Sequence, residues 1–124
     1  MNAWYHGTPL SLSHLMAGAT ITRNRRLAEV FSHKPEIVSV EDDGTIRHNG
    51  RAAGLLYVID ENVLPEDTGP HPRTTMPVGW EWLTRRTLRL RLLGPVELTA
   101  DEMLDDATAA QLRRRAEQRR GLGR

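Results

Sequence analysis

The hydrophobic pattern changes period several times along this chain. Leu55-Leu56-Tyr57-Val58-Ile59 is apolar at every position. A run that short and that uniform predicts a strand covered on both faces, and therefore a central one. Thr87 to Leu93 alternates instead: Leu88, Leu90 and Leu92 share one side, Thr87, Arg89 and Arg91 the other. Gly94-Pro95 should break that strand, with Val96 to Leu98 resuming it as strand or edge. Ile37, Val38 and Val40, then Thr45 to His48, flank Glu41-Asp42-Asp43-Gly44. Asp-Gly between two β-prone runs predicts a hairpin, read here as an exposed arm, with Asn49-Gly50 as a second tight turn. Ala19 to Thr22 is short and β-prone. Tyr5 ahead of the Gly7-Thr8-Pro9 punctuation predicts a short strand running into a turn.

Helical spacing appears in three places. Leu12, Leu15 and Met16 fall at i, i+3 and i+4, which predicts a short helix over Ser11 to Ala17 closed by Gly18. Asn24 is positioned to cap a helix from Arg25 to Ser32 that buries Leu27, Ala28 and Phe31. His33-Lys34-Pro35 should stop it, because a residue before proline avoids the α region. Thr99-Ala100-Asp101-Glu102 spells a capping box and predicts a helix from there to about Arg120. Its apolar stripe, Met103, Ala107 and Ala110, is thin. Between Asp60 and Gly79 lie Pro65, Pro70, Pro72 and Pro77, a long breaker-rich loop of the kind that carries function or moves. Strand and helix neither alternate regularly nor segregate completely, so the class is α+β. One domain over residues 1–124 is expected, with a core of about 3–100, the last helix over about 100–120 and a disordered tail at 121–124.

With 124 residues the chain is long enough to bury a core without staples, and it has no cysteine for a disulfide or a thiolate metal site. No apolar run reaches the length of a membrane span, and the N-terminus lacks a signal-peptide pattern, so a cytoplasmic protein is expected. The net charge of +1 argues against a dedicated nucleic-acid coat. The distribution is uneven. Arg113, Arg114, Arg115, Arg119, Arg120 and Arg124 stand against Glu117 alone, and Arg23, Arg25 and Arg26 form a second cluster. Lys34 is the single lysine, so the cationic groups suit bidentate anion binding, although a GC-rich source genome gives the same bias.

Several chemistries are absent. His6, His14, His33, His48 and His71 show no metal-ligand spacing. There is no GxSxG elbow, P-loop or GxGxxG. Two stretches remain. Trp4-Tyr5-His6-Gly7-Thr8 sets an imidazole and a hydroxyl beside a glycine that a flat ligand can approach. Glu81 lies between Trp80 and Trp82 at the start of a late strand. A carboxylate there needs a partner or a task, and an ion pair with Arg85 or another arginine would supply the first.

Tyr5-His6-Gly7-Thr8, the Ala28 to Ser32 helix and Glu81-Trp82-Leu83 occur in an order that resembles the ADP-ribosyltransferase fold. The likeness runs from about Trp4 to Leu98. It is greatest to the small branch that begins with tyrosine-histidine-glycine-threonine, such as the rifampin ADP-ribosyltransferases and related bacterial or phage proteins. The resemblance implies a split mixed or antiparallel sheet with short flanking helices, an NAD cleft between its halves, and no metal. It implies that Glu81 and His6 are catalytic. His6 would bond a ribose hydroxyl, Glu81 the 2′-hydroxyl of the nicotinamide ribose, and the Gly7 backbone the nicotinamide carboxamide. Tyr5, Thr8, Thr22, Arg23, Phe31 and Ser32 would complete the NAD site. ADP-ribose would pass to a small molecule, a protein or a nucleic acid.

The middle motif of that family offers a tyrosine or a serine-threonine-serine strand; here the corresponding strand reads Ala19-Thr20-Ile21-Thr22. Phe31 or Tyr57 would have to supply the aromatic surface. Two other functions fit parts of the sequence. One is an inactive binding module of the same fold. The other is a small nucleic-acid-binding protein that uses Arg113, Arg114, Arg115, Arg119 and Arg120, since several arginines neutralise several phosphates.

Overall fold

The computed structural model describes residues 3–122, with side chains through residue 119. It is a mixed α/β fold of mostly antiparallel, curled sheets with two α-helices among the described residues. β1 (Tyr5–Thr8), β6 (Gly54–Ile59), β9 (Leu88–Val96) and β2 (His14–Leu15) form one sheet in the order β1-β6-β9-β2. β3 (Thr20–Ile21), β8 (Trp82–Thr84) and β7 (Thr68–Pro70) form a second, in the order β3-β8-β7. β4 (Val38–Val40) and β5 (Ile46–His48) make a hairpin of their own.

β6 is the central strand its composition predicts, paired antiparallel on both edges and buried along most of its length. One face of β6 and β9 builds a core of Leu15, Ile21, Tyr57, Ile59, Leu88 and Leu90, flanked by Trp4 and Trp82. The opposite face of β1 lies against α1 (Arg25–Phe31). Asn24 caps α1 as expected, its Oδ1 accepting from Leu27 N–H at 3.1 Å. Leu27 and Val30 then meet Ile46, with Phe31 and Trp80 alongside, in a second core.

Several elements differ from expectation. Ser11 to Ala17 is not helical. A segment that short cannot repay helix nucleation unless its neighbours reward it. Here they reward an extended path: Tyr57 Oη donates to Leu10 O and accepts from Leu12 N–H, and His14-Leu15 pairs with β9. The β4–β5 hairpin is not an exposed arm, because Ile46 and His48 are buried beneath α1 and the C-terminal segment. The breaker-rich loop contains a 3₁₀ turn (Pro65–Asp67) and all of β7, with Pro70 at the end of its strand, where a lost donor costs little. β9 runs through Gly94-Pro95. Leu56 pairs with Gly94 and Tyr57 with Leu92, so Leu93 is the extra residue of a bulge, and the bulge absorbs the glycine and proline.

The capping box forms but caps only a 3₁₀ turn (Ala100–Glu102), from which Thr99 N–H donates to Glu102 Oε1 at 2.7 Å. The chain then extends to bridge Met103 with His48, and α2 starts at Asp106 and runs through Leu122. The helix expected from Thr99 is split because Glu102 has other partners. Its carboxylate also takes Arg26 Nη2 at 2.8 Å and His48 Nε2 at 2.7 Å, which draws it into the body. Of the tail expected at 121–124, the first two residues continue α2, and residues 123–124 lie outside the described residues. No helix among the described residues is long and apolar enough to cross a membrane.

Candidate functional site

β1 and β3 meet through one pair. Tyr5 N–H donates to Thr22 O at 2.7 Å, and Thr22 N–H donates to Tyr5 O at 3.1 Å. Continued, that register would set Gly7 opposite Thr20. The ladder does not continue. The His6 ring reaches across instead, its Nδ1 2.7 Å from Thr20 O, the carbonyl a further pair would have used. A carbonyl only accepts, so Nδ1 carries the proton and Nε2 holds a lone pair. Burial pushes the His6 pKa below its ordinary 6.5, against the opposing effect of the Thr20 bond. His6 is therefore a neutral imidazole with one acceptor nitrogen.

The opening leaves Gly7 with free backbone groups. In an antiparallel ladder, donors and acceptors of alternate residues point to the same edge. Tyr5 directs its own to β3, so Gly7 does too, toward Thr20, whose carbonyl the His6 ring takes. No described residue outside the β1–β6 ladder bonds them. This edge is distinct from the bare face of Gly7, which was expected to receive a flat ligand. A Cβ built there would lie 1.7 Å from Ala28 O and 2.8 Å from Ser32 N, so α1 already occupies that face. The glycine is required for helix–strand approach, and its edge groups have no partner among the described residues outside the ladder.

Glu81 enters on the other side of β3. Ile21 pairs with Trp82, so the same register sets Thr22 beside Glu81. On the far flank, His71 N–H donates to Glu81 O at 3.2 Å. Tyr5, Thr22, Glu81 and His71 thus form one cross-strand row over β1, β3, β8 and β7. The Glu81 side chain is 11% exposed. The ring within ion-pair distance of it is His71, with Nε2 at 3.7 Å, rather than Arg85. Alternation along β1 puts His6 on the opposite face from Tyr5, so His6 and Glu81 lie on the two faces of the sheet with β3 between them, and the two residues expected to be catalytic are not brought to one crevice.

The remaining candidates divide. Thr8 Oγ1 accepts from Leu10 N–H, and the buried Thr22 Oγ1 from Asn24 N–H, so both hydroxyls fold local turns. Ser32 is fully buried at the end of α1, with Oγ donating to Glu29 O. Phe31 packs on the Leu27, Val30 and Ile46 core. Tyr57, the other aromatic considered, is buried with its hydroxyl bonded. These groups are committed to the fold. Tyr5 lies under Arg25, whose guanidinium carbon is 5.9 Å from the ring centroid.

Arg23 sits 4.4 Å over the Trp4 ring. Both line a cavity of about 340 Å³ with Pro65, Gly79 and Trp82. Trp4 and Trp82 meet edge to face at 6.0 Å. The sequence offered Trp4 and Trp82 only as neighbours of the motifs; their convergence depends on the β1-β3-β8 order, which no local pattern encodes. Among the described residues no group of histidines and carboxylates is arranged to hold a metal. The chain matches no family model, no curated protein and no solved structure.

Proposed function

We propose that the protein is an NAD-dependent mono-ADP-ribosyltransferase whose cleft opens where β1 and β3 part. The observation that carries this reading is the His6–Thr20 bond. It ends the ladder after one pair and leaves the Gly7 N–H and C=O as an unpaired donor and acceptor. A primary carboxamide, which offers one acceptor and two donors, is the complementary group. Two of the stretches that resemble the family's motifs lie at β1 and immediately before β8, with β3 between them, and the third, Ala28 to Ser32, is the end of α1 packed on Gly7, which supports the same reading.

In this proposal the Gly7 edge binds the nicotinamide carboxamide, Glu81 approaches the nicotinamide ribose from one face of β3, and His6 Nε2, on the other face, accepts from a ribose hydroxyl elsewhere on NAD. The bond between ribose C1′ and the nicotinamide nitrogen breaks, and its electron pair leaves with nicotinamide. The sugar becomes oxocarbenium-like, as in glycoside cleavage, and the Glu81 carboxylate stabilises that charge. An acceptor nucleophile then bonds to C1′ and gives up its proton. Arg25, over the Tyr5 ring, and Arg23, over the neighbouring Trp4 ring, offer guanidinium groups that suit the pyrophosphate.

A second reading, a module of this fold that binds NAD without turnover, draws on a different observation. Neither Phe31 nor Tyr57 presents a free ring to stack on nicotinamide. Incubation with NAD labelled in the adenylate moiety, alone and with a bacterial lysate, tests both. Nicotinamide release with label transferred to an acceptor is expected. Saturable NAD binding without release would favour the inactive module, and no binding would end both readings.

A further inference from the structure

α2 stands apart from the rest of the molecule. Its inner side is held at the start, where Ala109 is buried, Leu112 is half-buried and Arg113 pairs with Glu36. From Arg113 to Arg119 every residue is exposed. A helix normally presents an apolar stripe at i, i+3, i+4, i+7 and i+8, by which it docks onto its own core. On the outer side of α2 those positions are Gln111, Arg114, Arg115 and Gln118, with Arg119 at the border, where it also lines a cavity with Leu112, Arg113 and Glu36. All five are exposed. Its two carboxylates, Asp106 and Glu117, fall outside that spacing. Arg114, Arg115 and Arg119 take part in no ion pair among the described side chains, whereas Arg113, on the inner side, does. The result is one continuous face made only of long cationic and amide side chains.

We infer that this face of α2 docks on a nucleic-acid duplex. The argument is charge complementarity combined with shape. Arginine binds phosphate oxygens through a planar fork of donors, and arginine and glutamine are also the side chains that read base edges in the major groove. An α-helix, about 10–12 Å across with its side chains, fits the B-form major groove, which is about 12 Å wide. Exposure all round over its second half lets a groove enclose the helix. The face contains no aromatic residue, and single-stranded nucleic acid is held largely by stacking on such residues. The major groove of A-form RNA is too narrow for side chains to read. Duplex DNA is therefore the occupant that fits. The inference does not rest on the NAD reading, since α2 contributes nothing to the Gly7 edge.

The full-length protein is titrated against a fluorescently labelled mixed-sequence DNA duplex, with anisotropy read from about 50 to 200 mM salt. Binding in the range of about 1 to 100 μM is expected, with a log–log salt slope near −3 for three phosphate contacts. The triple variant R114Q/R115Q/R119Q should weaken it by roughly tenfold or more at low salt, with the far-UV spectrum unchanged. R113Q should bind like the wild type. Four results would overturn the inference: no binding, equal binding by the triple variant, an equal loss in R113Q, or preference for a single strand. Tighter association with vesicles of anionic phospholipid than with the duplex would also overturn it, in favour of a membrane surface.

Discussion

The His6 imidazole takes the Thr20 carbonyl that a continued β1–β3 ladder would have given to Gly7. One side chain thereby replaces a backbone pair and opens the sheet. The bond also sets the tautomer, and burial keeps the ring neutral at pH 7. A neutral ring is the form with an acceptor at Nε2. As pH falls through the lowered pKa, Nε2 gains a proton and can no longer accept. The kcat/KM for nicotinamide release should thus be level above about 6.5, the ordinary value, and decline only below it. His6→Ala should remove the decline along with most of the activity. A profile whose acid limb survives in His6→Ala would assign that limb to another group.

In the proposed reaction the Glu81 carboxylate stabilises the oxocarbenium-like centre, and Glu81→Gln preserves its size while removing the carboxylate. Loss of nicotinamide release by about 10²- to 10³-fold is expected, on the scale of removing one preorganised electrostatic group. NAD binding and the far-UV spectrum should change little, because no described residue other than His71 is within ion-pair distance of the carboxylate. Equal losses in binding and turnover would make Glu81 a ground-state contact and not a transition-state one.

Two glycines separate steric from conformational need. Gly7 has ordinary backbone angles, but a Cβ there would strike the Ala28 carbonyl at 1.7 Å. Gly7→Ala must push α1 from β1, and overpacking against backbone should cost about 3 kcal/mol or more. Gly44, in the β4–β5 turn, has φ of +89° and open space around it. Gly44→Ala should cost about 1 kcal/mol from the left-handed conformation alone. Chemical denaturation of both variants checks the order, and a milder Gly7→Ala would mean that α1 is loosely seated.

Much of the fold was legible because local signals and tertiary demands coincided. Asn24 capped the predicted helix, Asp43-Gly44 turned the predicted hairpin, and the uniform run at Leu55 to Ile59 became the central strand. Where they diverged, pairing prevailed. Leu12, Leu15 and Met16 have helical spacing, yet only Leu15 is buried, and Met16 is 70% exposed, because β9 recruits the segment as a strand. The Thr99 capping box was correct in its hydrogen bonds and misleading about helix length, since Glu102 also serves His48 and Arg26. Of the candidate site, the motif residues were readable as strand ends. The His6–Thr20 bond was not, because it requires knowing that β1 and β3 are neighbours. The buried roles of Ser32 and Thr22 were hidden for the same reason.

Glu102 and His48 make the fold sensitive to acid. His48 Nδ1 accepts from Gly50 N–H at 3.0 Å, so its proton sits on Nε2 and points to Glu102 at 2.7 Å. His33 stacks parallel to it at 5.7 Å, donating from Nδ1 to Ala52 O and leaving Nε2 buried without a partner. A second proton on His48 would break the Gly50 bond. Burial is the main cause that lowers the His48 pKa from 6.5; His33 and Arg26 add to it, and Glu102 opposes. Burial alone would raise the Glu102 pKa, but hydrogen bonds from His48, Thr99 and Arg26 outweigh it and bring the value to about 2. Both shifts have the same sign for stability. Below pH 6.5 the unfolded chain takes up a proton that folded His48 resists, and below about 4.5 it protonates a carboxylate that the folded state keeps ionised. Unfolding free energy should fall steadily from pH 7 toward pH 3. Glu102→Gln should cost about 1 to 2 kcal/mol at neutral pH, because His48 and Arg26 lose a charged acceptor while Arg26 keeps Glu29, and should flatten the curve below pH 4.5 while the limb near pH 6 remains. Urea titrations at fixed pH measure the wild type and Glu102→Gln, and a wild-type stability that is constant between pH 7 and 4.5 would remove His48 from the account.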